Sequence, residues 1–369
     1  MARGVSKDAL GVEVAKEYTG KKFRLAYIGC GGIAHVHMDA LTGLPDVEVV
    51  AGVDNRGDHL KVWGEKWGIT KLYKDWNKML KEVQPDGVAV CTPNGVHMAP
   101  TIDALKAGAH VICEKPMAMS ATECEKMIAA AKKADRKLMI GFQYRYHPNT
   151  QFLKRAADAG EFGDIMFMKC QALRRRGIPN WGVFGQKKLQ GGGPMIDIGV
   201  HCIEMAHYLM GSPKPVAASG NIWTYFGNKP SKVVCPWPNW DHKTYTVEDL
   251  AIGQVRFDTG ALLQIEASFV AHIEKDTWNF SFMGTKGGGN FDPPAIFTDR
   301  AGTMLDCKPN FVGNEDSYEY LFELKLRNWV DACTKGTPSE APGEAGLAVQ
   351  KMLDGVYRSA AAGKEVTIK

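Results

Sequence analysis

The chain has 369 residues, 45% of them apolar, and 45 Lys and Arg against 41 Asp and Glu give a formal charge of +4. That length exceeds what one hydrophobic core usually serves, so two domains are expected. The balanced charge has no long like-charge block, which excludes nucleic acid and anionic membrane as expected partners and favours a small neutral or mildly anionic ligand.

Residues 1–20, "MARGVSKDALGVEVAKEYTG", lack the continuous apolar core of a signal peptide, and no later apolar run reaches the roughly 18 residues that span a bilayer. The nine cysteines are scattered without a CxxC pair, so neither a disulfide framework nor a zinc knuckle is indicated. A cytoplasmic protein with reduced thiols is expected, with residues 1–22 as an N-terminal arm.

From Phe23 onward, β-rich runs ("FRLAYIG", "VEVVAGVD", "GVAVCT", "AHVICEK", "KLMIGFQY") alternate with stretches whose apolar residues recur every three or four positions. Strands as apolar as "GVAVC" and "HVIC" are those of a parallel sheet covered on both faces by helices. The expectation is an α/β, doubly wound Rossmann domain over residues 23–145.

The first strand runs into "GCGGIA", where Gly29, Gly31 and Ala34 match G-x-G-x-x-G/A and Gly32 and Ile33 complete the turn into a helix. Glycine at 29 permits the tight turn, glycine at 31 lets a pyrophosphate approach the backbone, and the helix N-terminus faces that phosphate. Asp54 closes the second strand, where an acid accepts hydrogen bonds from an adenosine ribose and repels a 2′-phosphate. NAD is therefore the expected cofactor; Arg56 nearby keeps NADP as the less favoured alternative. Thr92, Asn94 and His97 follow "GVAVCT" at the carboxyl edge, where ligands bind in such sheets.

Beyond Arg145 in "YRYHP", a helical segment leads to the strand-like "DIMFMKCQALRRR", in which Arg174 and Arg176 share one side of an extended chain. The following loop offers Trp181 and Phe184 as flat apolar surfaces. Next comes "GGGPMIDIGVHCIEMAHYLMG", where Asp197 and His201, four apart in a helix, project together from a stretch otherwise built for burial. Glu204 and His207 on the same helix leave a metal cluster as an alternative reading. Alternating segments from "VAASGNIWTYFG" to "DTWNFSFMGTKGG" predict an antiparallel sheet, interrupted by a Pro- and Trp-rich loop carrying Trp237, Trp240 and His242. Two helical stretches close the chain and are expected to pack back near the first domain.

Taken together, "GCGGIA", "VCTPNGVHMAPTIDALKAGAHVICEKPMA", "GFQYRYHP" and "GGGPMIDIGVH" resemble the glucose-fructose oxidoreductase, inositol dehydrogenase and rhizopine-catabolism (Gfo/Idh/MocA) family. The resemblance implies a second domain, residues 146–369, of α+β type with a large, open, mostly antiparallel sheet that binds substrate and joins subunits of a homo-oligomer. It implies that Lys115, in the E-K-P turn, sits beside nicotinamide and substrate, with Asp197 and His201 as its catalytic partners, and that Glu114 contacts the nicotinamide ribose. It implies a substrate or cofactor contact at Arg145; Arg174, Arg176 and Trp181 complete the candidate substrate wall. No metal is required. The expected reaction is hydride transfer between NAD and a ring hydroxyl of a sugar, cyclitol or glycoside, with the 3-position of a glucoside as the specific case. The alternatives are inositol oxidation, an NAD-retaining glycosidase and a non-enzymatic sugar sensor.

Overall fold

The computed structural model describes residues 19–312 and 317–369, together with two short strands, Val5–Lys7 and Glu13–Ala15, that pair antiparallel. The rest of the expected arm, up to residue 18, lies outside the described residues.

The first sheet is wholly parallel. Its strands are β1 (Phe23–Ile28), β2 (Val47–Val53), β3 (Leu72–Tyr73), β4 (Gly87–Val90), β5 (His110–Cys113) and β6 (Leu138–Ile140). They lie in the order 3-2-1-4-5-6, the dinucleotide-binding arrangement. Helices α1 (Gly32–Ala40), α2 (Gly57–Trp67), α3 (Trp76–Val83), α4 (Met98–Lys106) and α5 (Ala121–Ala134) make the crossovers. Local chemistry sets their ends: Ser120 caps α5 by accepting from the Glu123 amide, and Gly68 closes α2 at φ +69°. The expected doubly wound fold is present. It includes β3, two residues long and half-buried, which has no pattern in the sequence to announce it.

After α6 (Pro148–Asp158) comes a nine-stranded sheet. It comprises β7 (Ile165–Leu173), β8 (Pro215–Trp223), β9 (Leu250–Phe257), β10 (Leu262–Ser268), β11 (Thr277–Gly284), β12 (Gly287–Asn290), β13 (Ala295–Arg300), β14 (Thr303–Cys307) and β15 (Val366–Thr367). The order is 14-13-12-11-7-10-9-8-15, antiparallel except between β7 and β10. Burial alternates strictly along β9, so one face packs inward and the other is open.

The inner face is covered by α7 (Val200–Leu209) and α9 (Gly343–Ala362); α8 (Tyr318–Thr334) instead packs on α1. Trp329 of α8 meets Phe23 of β1 edge-on at 5.5 Å, and the Ile140 amide of β6 donates to the Ala341 carbonyl. Helix α8 and the segment around Ala341 thus return to the first domain, where Ala341 covers the β6 edge that would otherwise present unpaired backbone, while β15 pairs in the second sheet and α9 packs mainly on it.

Candidate active site

The carboxyl ends of β1, β2, β4 and β5 open into a cavity of about 1120 Å³ whose far wall comes from β7, the loop 177–190, the turn before α7, and β11. A single small-ligand site usually takes roughly 300–1,000 Å³, so this space has room for a cofactor and a second molecule.

On the β1 side, Gly29 stands at φ +92°, and a Cβ there would sit 2.6 Å from the carbonyl carbon of Cys91, so only glycine makes the turn. Gly31 and Gly32 are different: among the described residues, nothing beyond their chain neighbours and the helix's own backbone lies within 4 Å of where their side chains would begin, and both line the cavity over the start of α1. This clear space at a helix N-terminus fits a dinucleotide pyrophosphate. Ile33 borders the same space. Asp54 lines it too; its Oδ2 accepts from the Cys30 amide (2.9 Å) and its Oδ1 from the Arg56 amide (2.8 Å), which fixes the carboxylate at the end of β2. Thr92 adds a buried hydroxyl without a partner among the described residues, a further polar group left for a ligand.

Asn94 and His97 line the cavity but are already engaged. Asn94 donates to the Gln190 carbonyl (2.8 Å), while the His97 ring lies between the carbonyls of Pro116 (2.9 Å) and Thr92 (2.8 Å). His97 is thus a strut joining the turns after β4 and β5, and burial lowers its pKa.

Three of the expected chemical groups meet. Lys115 Nζ donates to the carbonyl of Asp197 at 2.7 Å and lies 3.3 Å from its Oδ1. His201 shares the cavity; its ring packs against Tyr144 (5.0 Å) and Trp278 (5.9 Å), and its buried Nδ1 has no partner among the described residues. Burial first, and then the Lys115 charge, hold the imidazole pKa well below 6.5. The segment carrying Asp197 is not regular α-helix: Met195–Gly199 forms a π-helical turn before α7 begins. The turn is braced by buried Glu248, whose Oε1 accepts from the Gly193 amide and from Tyr357.

Glu114, one residue before Lys115, also lines the cavity. Its Oε1 is held by Lys325 Nζ (2.6 Å) and His37 Nε2 (2.9 Å). Burial alone would raise this carboxyl, but the Lys325 charge and His37 outweigh it and keep it well below the usual range. Lys325 and His37 were not singled out from the sequence. The available signal was Lys325 itself, on the helical stripe Tyr318, Phe322, Lys325, Trp329 that is otherwise aromatic.

The substrate-side expectations divide. Trp181 and Phe184 line the cavity, Trp181 about half exposed and braced edge-on by Trp237 at 4.8 Å. Arg174 lines it as well, with its guanidinium donating to the Gly177 carbonyl (3.0 Å) and stacked over Trp237. Arg176 does not. Strand β7 ends at Leu173, so the two-residue alternation fails beyond it, and Arg176 turns away to Phe226 and His272. Arg145 is likewise absent from the wall: it is buried in an ion pair with Glu204 and donates to the Glu340 carbonyl. With Glu204 taken by Arg145 and His207 Nε2 facing the Pro213 carbonyl (2.9 Å), α7 holds no cluster arranged for metal. Trp240 is core, donating to the Gly227 carbonyl.

Comparison with known proteins shows what the chain is similar to. Residues 23–142 match the model of an oxidoreductase family with an NAD-binding Rossmann fold, and 150–289 match the GFO/IDH/MocA C-terminal domain. The chain is 35% identical to D-glucoside 3-dehydrogenase of Escherichia coli (strain K12) over 95% of its own length and 99% of that protein. It is 28% identical to myo-inositol 2-dehydrogenase of Thermotoga maritima over 88% and 92%. A levoglucosan dehydrogenase solved in complex with NADH superimposes with a TM-score of 0.82 at 22% identity, covering 94% of this chain and 99% of that one.

Proposed function

The chain belongs to the Gfo/Idh/MocA family of NAD-binding oxidoreductases, and from that premise we propose that it oxidises a ring hydroxyl of a glucoside, at the 3-position. The observation that carries the reading is the meeting of Lys115, Asp197 and His201 in a cavity with a dinucleotide floor on one side and Trp181 and Phe184 on the other. Flat aromatic faces suit the apolar faces of a pyranose or its aglycone.

Bound NAD supplies the hydride acceptor. The protein handles the proton and the charge. His201, neutral because burial and Lys115 disfavour its cation, takes the hydroxyl proton as general base. Lys115 steadies the developing negative oxygen, and Asp197 aims Lys115 through its carbonyl and carboxylate. Gly29, Gly31, Gly32, Ile33, Asp54 and Thr92 would hold the cofactor, with Glu114 at its nicotinamide end.

We further propose that a second copy of the chain docks on the open face of the nine-stranded sheet, and that the protein works in the cytoplasm. Phe167, Met283 and Phe297 in one cross-strand row of that face support the first; nine unpaired cysteines support the second. The test of activity is NADH formation from NAD+ with methyl glucosides, free sugars and inositols, and the keto carbon of the product located by NMR. A 3-keto glucoside is expected. Turnover of inositol alone, or release of free sugar without NADH accumulation, overturns the assignment.

A further inference from the structure

The Lys325 side chain is completely buried, in a helix belonging to the second half of the chain, yet its charge is spent on the first. Besides Glu114 Oε1, its Nζ meets His37 Nε2 at 3.1 Å and lies 3.7 Å over the Phe322 ring. Stability alone does not account for such a group, since a buried ion pair is often matched or bettered by apolar residues of similar volume. The partner suggests another reason. Glu114 stands beside the candidate catalytic Lys115, and its two oxygens are treated differently. Oε1 receives Lys325 and His37, while Oε2 meets the backbone amide of Lys115 at a long 3.4 Å.

Two further details fix the carboxylate. A Cβ at residue 141 would fall 2.6 Å from Oε1, so Gly141 leaves the space the carboxylate occupies. Burial and the Lys325 charge push the His37 imidazole down to about 4, so it is neutral and has one N–H to give. Its Nδ1 is buried without a partner among the described residues, which is less costly for a bare acceptor than for a donor, and this puts the proton on Nε2, toward Glu114.

We propose that Lys325 is a positioning residue for the dinucleotide: by pinning Oε1 of Glu114 from behind, it leaves Oε2 to accept from the hydroxyls of the nicotinamide ribose, so that α8 is a working part of the cofactor site. The proposal rests on the reading of this cavity as the NAD site but not on the identity of the sugar.

The test is a double-mutant cycle on NAD+ affinity, read by calorimetry without any sugar. Lys325→Met should weaken NAD+ binding roughly 10- to 100-fold, the scale of a lost charge-assisted hydrogen bond, and Lys325→Arg should restore most of it. Glu114→Gln should weaken binding to a similar degree, and the Lys325→Met/Glu114→Gln pair should bind within about twofold of Glu114→Gln alone. If Lys325→Met does not fold, Lys325→Gln enters the same cycle. Losses that multiply in the pair, or a Lys325→Met affinity within about twofold of wild type, overturn the positioning role. A wild-type chain that binds no NAD+ overturns the cofactor reading with it, whereas NAD+ binding without glucoside turnover overturns only the substrate.

Discussion

His201 is buried among cations, and the sign of the resulting pKa shift makes a testable statement about rate. A general base works while it is unprotonated, so oxidation is sustained above its pKa and fails below it. Because burial and Lys115 hold that pKa well under 6.5, kcat/KM should stay level as pH is lowered through 6.5 and bend only at more acidic values. A bend centred near 6.5 would show an ordinary, solvated imidazole. His201→Ala should lower kcat by roughly 10²- to 10⁴-fold with NAD+ affinity unchanged; a matching loss of affinity would make His201 a packing residue. Asp54→Ala should narrow the preference for NAD+ over NADP+, measured as the ratio of the two kcat/KM values, since the carboxylate that repels a 2′-phosphate is gone. Asp197 and His201 were legible because two ionisable side chains interrupt an apolar run. Arg176 departs from the expected wall because a strand's alternation holds only to its last paired residue, Leu173.

The turn between β1 and α1 separates folding from binding by two glycines two residues apart. Gly29→Ala meets both a positive φ and the Cys91 backbone, so it should lower stability in urea by about 2–5 kcal/mol. Gly31→Ala meets nothing beyond its chain neighbours among the described residues and should leave stability nearly unchanged while weakening NAD+ binding. Equal effects of the two on both measurements would remove the phosphate from this turn. The elements most clearly written in the sequence are those with strong periodicity, from β1 through α5 with the exception of the two-residue β3. The π-helical turn was not, and the Glu248 carboxylate that accepts from the Gly193 amide just ahead of it is 55 residues away in sequence. The role of α8 was hidden for the same reason: Lys325 and Glu114 are separated by 211 residues.

For the whole molecule, the open sheet face presents a row of exposed apolar side chains among the described residues. Along one row Phe167, Met283 and Phe297 are adjacent, with Gly288 between the last two, and exposed Met304 lies on the neighbouring edge strand. If a second copy docks there, Met283→Lys with Phe297→Lys should shift sedimentation from oligomer to single chain without altering the circular dichroism spectrum. An unchanged sedimentation coefficient would move the interface elsewhere. Strands β12 to β14, which build this end of the sheet, escaped the sequence because glycines and half-exposed polar residues blur their alternation. The return of α8 and Ala341 to the first sheet also sets an order of events during synthesis. A nascent chain halted near residue 310 has already made every strand of the dinucleotide sheet, yet β6 lacks its cover and Glu114 its ammonium. The pairing that covers β6 and the ammonium that holds Glu114 both come from beyond residue 320, so this corner of the first domain gains its last contacts only when synthesis is nearly complete.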